Sequence, residues 1–260
     1  PRAPEGCQAK LPLGLQLEED ESLEDFEVLK QETLILVRRG ATARLIAIAH
    51  TEPKTPVEVR LPAPWSEGSA LALRFGQPLP NGTFKLYAST PSRPEVPLYY
   101  RDSGQPMLSR VVTEEARSVA LSTVGVAAEQ RGQPSVPITL TLPNSTDQMA
   151  THTPYPLWVT AYGSYGNTLS TAYSPFNEVV LGLGFAIAHI HVRGGRSLGG
   201  QWHDAGRGQN KPQSIQDLIT ATKWLASDPR IDGNRMIGFG QSAGAAILAA
   251  AANQSPGMFQ

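Results

Sequence analysis

The stretch with most chemistry in it is Gly240-Gln241-Ser242-Ala243-Gly244. An apolar run, Arg235–Phe239, leads into it, and a small-residue run, Ala243–Asn253, leads out. A strand that passes into a helix through so tight a turn leaves no room for side chains beside the serine, hence Gly240 and Gly244. The strained turn lifts the serine hydroxyl above the sheet. The helix N-terminus behind it offers unpaired N–H groups and a positive dipole end to a developing oxyanion. The five-residue pattern alone turns up by chance in roughly one chain in ten of this length. The strand and helix around it single it out against the plainer reading, a Gly/Ser turn feeding a packed helix.

A second motif, Tyr162-Gly163-Ser164-Tyr165-Gly166, closes the apolar run Pro156–Tyr162. In sheets with a serine elbow, the loop after an early strand supplies the other oxyanion donor. A phenol keeps its proton near neutral pH, so Tyr162 has the chemistry for that role. On these residues alone, a Gly/Tyr turn with both tyrosines used for packing fits slightly better.

These motifs need strands and helices to carry them, and two styles of sequence meet near residue 125. Before it, β-like runs (Phe26–Leu29, Thr33–Arg38, Ala43–Ala49, Val57–Leu61, Ala70–Phe75, Thr83–Ala88, Leu98–Arg101, Ser109–Val112) alternate with Pro/Gly/Asn turns such as Asn81-Gly82. That spacing predicts antiparallel hairpins in a sandwich, barrel or propeller, and this part holds no constellation able to do chemistry. After it, the spacing predicts strands at Val136–Leu142, Pro156–Tyr162, Phe185–Val192 and Arg235–Phe239, with a polar turn at Asn144–Gln148 and another at Asp232-Gly233-Asn234. A helix is predicted over Ser214–Ser227, because Ile215, Leu218, Ile219, Thr222 and Leu225 share one face and Ser214 can cap it. Parallel strands joined by helices put binding chemistry at the strands' carboxyl ends, where both motifs lie.

Composition narrows the classes. The 260 residues suit two domains, and 40% hydrophobic content can fill a core. Lys+Arg at 22 against Asp+Glu at 23 gives no electrostatic reason to expect nucleic acid or an anionic membrane as partner. The one concentrated charge, Glu18–Glu21 with Glu24 and Asp25, reads as a solvated loop or edge. A single cysteine, Cys7, excludes an internal disulfide and fits a reducing, cytoplasmic setting. No apolar stretch reaches the ~20 residues a membrane helix needs. The chain starts at Pro1 with no signal segment, which leads us to expect that the natural N-terminus lies upstream.

The Tyr162–Gly166 turn, His191-Val192-Arg193-Gly194-Gly195, Trp202, Asp217 and the Ser242 elbow stand in the order and spacing of the prolyl oligopeptidase family. The sequence most resembles its oligopeptidase B branch. Tyr87–Arg101 resembles that family's last propeller blade and Leu23–Ala49 an earlier one. The resemblance implies an α/β-hydrolase domain capped by a β-propeller, and a serine endopeptidase or oligopeptidase of short peptides needing no cofactor. It implies a division at 1–124, the C-terminal part of the propeller, and 125–260, the first half of the catalytic domain. It makes Ser242 the nucleophile, Tyr162 the hydroxyl oxyanion donor and the Ala243 N–H the backbone donor. Tyr165 falls where an aromatic residue lines the pocket for the residue before the scissile bond.

The departures are specific. Arg193-Gly194-Gly195-Arg196-Ser197 replaces the family's three glycines and an acid, and Ala245 stands for a second glycine past the elbow. Ser170 and Ala172 stand where the oligopeptidase B branch has two carboxylates that bind basic side chains. In this fold the triad runs serine, acid, histidine along the chain. All five histidines (His50, His152, His189, His191, His203) precede Ser242. The triad Asp and His are therefore expected outside the chain, in a missing C-terminal half of the catalytic domain or on a second chain. His189 and His191 alternate on a strand, but no third ligand has helpful spacing, so both read as core residues and no metal is expected. Asp217 reads as a structural residue on the polar side of its helix. The alternatives are a serine esterase of the same fold and a non-catalytic propeller-based binding module.

Overall fold

The computed structural model describes every residue except 1–14, 53, 63–64, 66–69, 81, 92, 102–107, 110–121, 131 and 144–153. Cys7, His152, the Asn144–Gln148 turn, Asn81 of the expected hairpin and the end of the expected strand Ser109–Val112 lie outside the described residues.

The first part of the chain forms two antiparallel meanders. One is β1 (Glu21–Val28), β2 (Glu32–Arg39), β3 (Thr42–Ala49) and β4 (Pro56–Glu58); the other is β5 (Ala72–Pro78), β6 (Thr83–Thr90), β7 (Arg93–Arg101) and β8 (Leu108–Ser109). Strand β2 has no polar alternation over Leu34–Val37, and the structure shows why: both of its faces are covered. Leu34 and Leu36 join Leu45, Phe84, Leu86, Leu98 and Tyr100 in a core between the meanders, while Ile35 and Val37 join Ile46, Ile48 and Leu15 on the other side. Burying such side chains contributes about 1.5–3 kcal/mol each.

The acidic run lies on a loop and the edge strand β1 with Glu18, Glu19, Glu24 and Asp25 exposed, but several of its acids are paired and Glu21 is buried. Asp20 binds Arg39 at 2.8 Å, Glu21 is buried against Arg44, and Glu24 holds Arg38. Arg38 is buried in its sheet and Arg44 half-buried, so Glu24 and Glu21 meet charges that water does not fully solvate, whereas Arg39 and Asp20 pair at the surface.

The rest of the chain builds one mixed sheet in the order β13-β11-β12-β10-β9. Its strands are β9 (Ser122–Gln130), β10 (Gln133–Leu142), β11 (Tyr155–Ala161), β12 (Ala186–Ile190) and β13 (Ile231–Phe239). β11, β12 and β13 run parallel, and β10 pairs antiparallel with both β9 and β12. The small-residue run Val124–Ala128 gives no strand signal, yet it forms β9, so the change of style near 125 falls inside a strand of this sheet. Asp232-Gly233-Asn234 is not a free turn. It lies within β13 as an irregularity where the pairing jumps from Tyr155↔Ile231 to Leu157↔Met236.

The helices are α1 (Pro175–Gly182), α2 (Gly199–Asp204), α3 (Lys211–Ala226) and α4 (Ala243–Gln254). α3 begins before the expected Ser214, because Pro212 is tolerated in a first turn. Ser214 is buried instead, its Oγ donating to the Arg193 carbonyl at 2.6 Å. Leu157, Val159, Ala188, Ile190, Leu218, Leu225, Ile247 and Ala251 form the central core. No helix among the described residues is long and apolar enough to cross a membrane.

His189 and His191 lie within this packing, and Thr139 Oγ1 is 2.9 Å from His191 Nε2. Burial pushes His189 from 6.5 down to about 4. Burial, then the charges of His189 and Arg38, push His191 down to about 3. The folded rings therefore stay neutral where an unfolded chain would take up protons, below about pH 6.5. Stability is full above that pH and falls as pH drops toward the folded values, by up to about 1.4 kcal/mol per pH unit for each ring. We expect the urea midpoint to fall between pH 7 and pH 5, and the fall to shrink in the His189→Gln/His191→Gln double variant. Equal midpoints at the two pH values in the unaltered chain would contradict the buried-neutral assignment.

Candidate active site

Strands β11 and β13 are neighbours and parallel, with Thr160 opposite Phe239, so their carboxyl ends open side by side. The Tyr162 turn leaves the first and the Ser242 turn the second. Strand spacing alone brings the two motifs within about 5 Å of each other's backbone.

Ser242 is exposed and sits at φ 51°, ψ −125°, a conformation a side chain adopts only under strain. Two close approaches fix that turn. A Cβ on Gly244 would lie 2.4 Å from the Ala161 carbonyl oxygen, so α4 rests directly on the end of β11. A Cβ on Gly240 would lie 2.5 Å from Leu248 Cδ1. The Ala243 N–H, at the start of α4, has no acceptor among the described residues. An exposed hydroxyl beside a free N–H is an arrangement suited to attack on a carbonyl and to holding the oxyanion that results.

Tyr162 is half-buried, and its hydroxyl has no partner among the described residues. The turn after it is strongly bent: Gly163, Tyr165 and Gly166 have φ of 61°, 57° and 67°. A side chain at Gly163 would put its Cβ 2.5 Å from Val192 Cγ2. Tyr165 stands out from the loop and is 80% exposed.

The turn is braced from the end of β12. Gly166 N donates to the Gly194 carbonyl at 3.1 Å, and His203 Nδ1 lies 2.7 Å from the same oxygen, so Nδ1 carries the hydrogen. Gly194 is held in turn by Arg193. Its guanidinium Nε lies 2.9 Å and 3.1 Å from the two carboxylate oxygens of Asp217, and its backbone N donates to Oδ2 at 2.9 Å. Asp217 is wholly buried, not on a polar helix face: the pair joins the end of β12 to α3. The Trp202 indole donates to the His191 carbonyl at 3.0 Å and adds α2 to the same knot.

Sequence reasoning missed Lys211. Its Nζ reaches the Gly163 carbonyl at 2.5 Å and Ser164 Oγ at 3.1 Å. A signal was present, a lysine in the first turn of a helix, where the dipole disfavours a cation.

Ser170 and Ala172 line a cavity of about 250 Å³ between the loop after the Tyr162 turn and the two meanders. Its acids, Glu24 and Glu95, are both held by arginines: Glu24 by Arg38, and Glu95 by Arg74 at 2.6 and 2.5 Å.

Residues 171–260 match the model of the prolyl oligopeptidase family. Over those residues the chain is similar to that family. It is 26% identical over 246 residues to a "Prolyl endopeptidase-like" protein of Xenopus laevis, covering 94% of this chain and 34% of that one. The solved post-proline cleaving enzyme from Rickettsia typhi superposes with a TM-score of 0.80 at 15% identity, over 94% of this chain and 35% of its own. Oligopeptidase B from Leishmania major gives 0.76 at 20% identity, over 93% and 34%. The chain thus spans about a third of these proteins' length, and over that third it has the fold of the two solved enzymes.

The Arg193–Asp217 pair makes a testable claim on this site. Replacing Asp217 with Asn leaves a buried guanidinium without its counter-charge, which costs about 3–5 kcal/mol. Asp217→Asn should lower the melting temperature by many degrees, whereas Asp204→Asn, whose pair with Arg207 is exposed, should leave it nearly unchanged. Equal small effects would remove the pair from the scaffold.

Proposed function

We propose that this chain carries the nucleophile side of a serine peptidase of prolyl oligopeptidase type, which hydrolyses short peptides through a seryl acyl-enzyme. The observation that carries this reading is an exposed Ser242 at a strained turn on the carboxyl end of β13, next to the turn that follows β11. In this reading Ser242 Oγ attacks the scissile carbonyl carbon, and its proton passes to a general base. The new oxyanion accepts from the Ala243 N–H and the Tyr162 hydroxyl. Collapse expels the amine and leaves an ester on Ser242, which water then cleaves. Tyr165 flanks the residue before the cut bond.

The base would come from sequence that follows Ser242 in the whole protein. His50 is bound to Thr33, His203 to Gly194, and His189 and His191 are packed in the core, so each described histidine is already engaged elsewhere. The two meanders would belong to a propeller (1–124) and the mixed sheet to an α/β-hydrolase domain (125–260), with β9 crossing that boundary. The relatives' printed names, a prolyl endopeptidase-like protein and a post-proline cleaving enzyme, support peptide over ester as substrate.

In the whole protein, Ser242→Ala should abolish labelling by a fluorophosphonate probe and lower turnover of a peptide amide by several orders of magnitude. Stoichiometric labelling of that variant would show that another residue is the nucleophile.

The cavity beside Ser170 and Ala172 bears on selectivity. With Glu24 and Glu95 both neutralised by arginines, it has no spare carboxylate among the described residues to meet a basic side chain. Peptides ending Arg-Arg and Ala-Arg before the cut bond should give kcat/KM values within about tenfold. A large Arg-Arg advantage that high salt removes would mean that other acids serve the site.

A further inference from the structure

We propose that Lys211 is a positioning residue of the active site: its ammonium holds the Gly163–Ser164 segment so that Tyr162 keeps its place beside the Ser242 turn. This rests on the reading of Tyr162 as an oxyanion donor and assigns the group that fixes it. The case begins with the loop's backbone. Gly163 and Gly166 take left-handed φ freely, but Tyr165 between them does so at a cost on the order of 1 kcal/mol, and a turn built on two such glycines has many other shapes open to it, so other contacts must dictate this one.

Only part of that control comes from Gly194 and its neighbours. Gly166 N donates to Gly194 O and Asn167 N to Ser164 O, which fix the far half of the turn. On the near half, next to Tyr162, the β11 ladder has ended at Ala161 and the Gly163 carbonyl has no strand partner. A carbonyl in such a crowded position needs a donor. The space is closed on the opposite side, since a Cβ on Gly194 would fall 2.1 Å from this same oxygen. Lys211 reaches it from the start of α3, and also takes Ser164 Oγ, thereby binding two consecutive residues of the turn.

The lysine is costly there unless it has a task. Its ammonium is half-buried with no carboxylate partner among the described residues, and burial lowers its pKa from 10.5. It also lies in the first turn of α3, where the dipole opposes a cation. A surface lysine would extend into water and keep its rotamer freedom. Two bonds to the Tyr162 turn are what the position gains.

The test uses the full-length enzyme that carries these residues, with Tyr162→Phe, Lys211→Met and the double variant. Wild-type labelling of Ser242 and peptide turnover come first; their absence would sink the hydrolase reading and this assignment with it. Given activity, Lys211→Met should lower kcat about 10–100-fold with KM within twofold, because a mis-set donor is lost mainly from the transition state. In the Tyr162→Phe background the same change should cost less than twofold, since the group it positions is already gone. Lys211→Gln, which keeps a donor, covers the case in which Lys211→Met fails to fold, and should show the same dependence on Tyr162 with a smaller loss. A kcat within twofold of wild type, or equal losses in both backgrounds, would overturn the assignment while leaving Ser242 as nucleophile.

Discussion

Everything at this site depends on how closely two backbones can approach where β11 and β13 end. The parallel ladder sets the two strands at one spacing, and Gly244 lets α4 settle on the Ala161 carbonyl. A methyl group at 244 would have to occupy space already held by backbone, which cannot swing aside as a side chain can. The elbow would then lift, or the strand end would shift. Either movement separates Ser242 from the Tyr162 turn. Apolar packing stabilises the sheet, but this contact sets the distance between the Ser242 and Tyr162 turns, which the peptidase reading proposed above would need held to within about 1 Å.

The Arg193–Asp217 pair plays a different part. Two fully buried charges lose their hydration, and their attraction roughly restores that loss, so the pair is a weak source of stability. Its value is directional. Asp217 accepts from both the guanidinium and the backbone N of Arg193, which fixes the chain direction at the end of β12 and aims the Gly194 carbonyl at Gly166 and His203. Apolar side chains of equal volume would fill the space without pointing anything.

Local patterns made part of this visible in the sequence. The Ser242 elbow was legible because a strand, a glycine-flanked serine and a small-residue helix follow one another without a gap. The meanders were legible from turn residues at regular intervals. What escaped depends on partners distant in sequence. Asp217 looks like an exposed helix residue until Arg193, far back in the chain, is folded against it. Glu21 and Glu24 look solvated until β2 and β3 bring Arg44 and Arg38 beneath them. Ser214 has the type of a cap, but Pro212 moves the start of α3 earlier and leaves the serine to bond Arg193. Lys211 carries only the weak signal of a cation at a helix start, because its two acceptors belong to a loop whose shape is itself a tertiary product.

The charges left uncancelled give the site its sign. Arg193 is neutralised by Asp217 and Arg38 by Glu24. Lys211 has no such counter-charge among the described residues, and the Ala243 N–H heads a helix whose dipole is positive at that end. The ammonium binds the Tyr162 turn, and the N–H heads the helix that follows Ser242. A neutral peptide carbonyl gains little from this field when it binds. A tetrahedral oxyanion gains much more, because the donors are already oriented and need not reorganise as charge develops. If the site is the peptidase centre proposed above, that field would favour the transition state over the bound substrate, and it would depend on the loops staying where Gly244, Asp217 and Lys211 hold them.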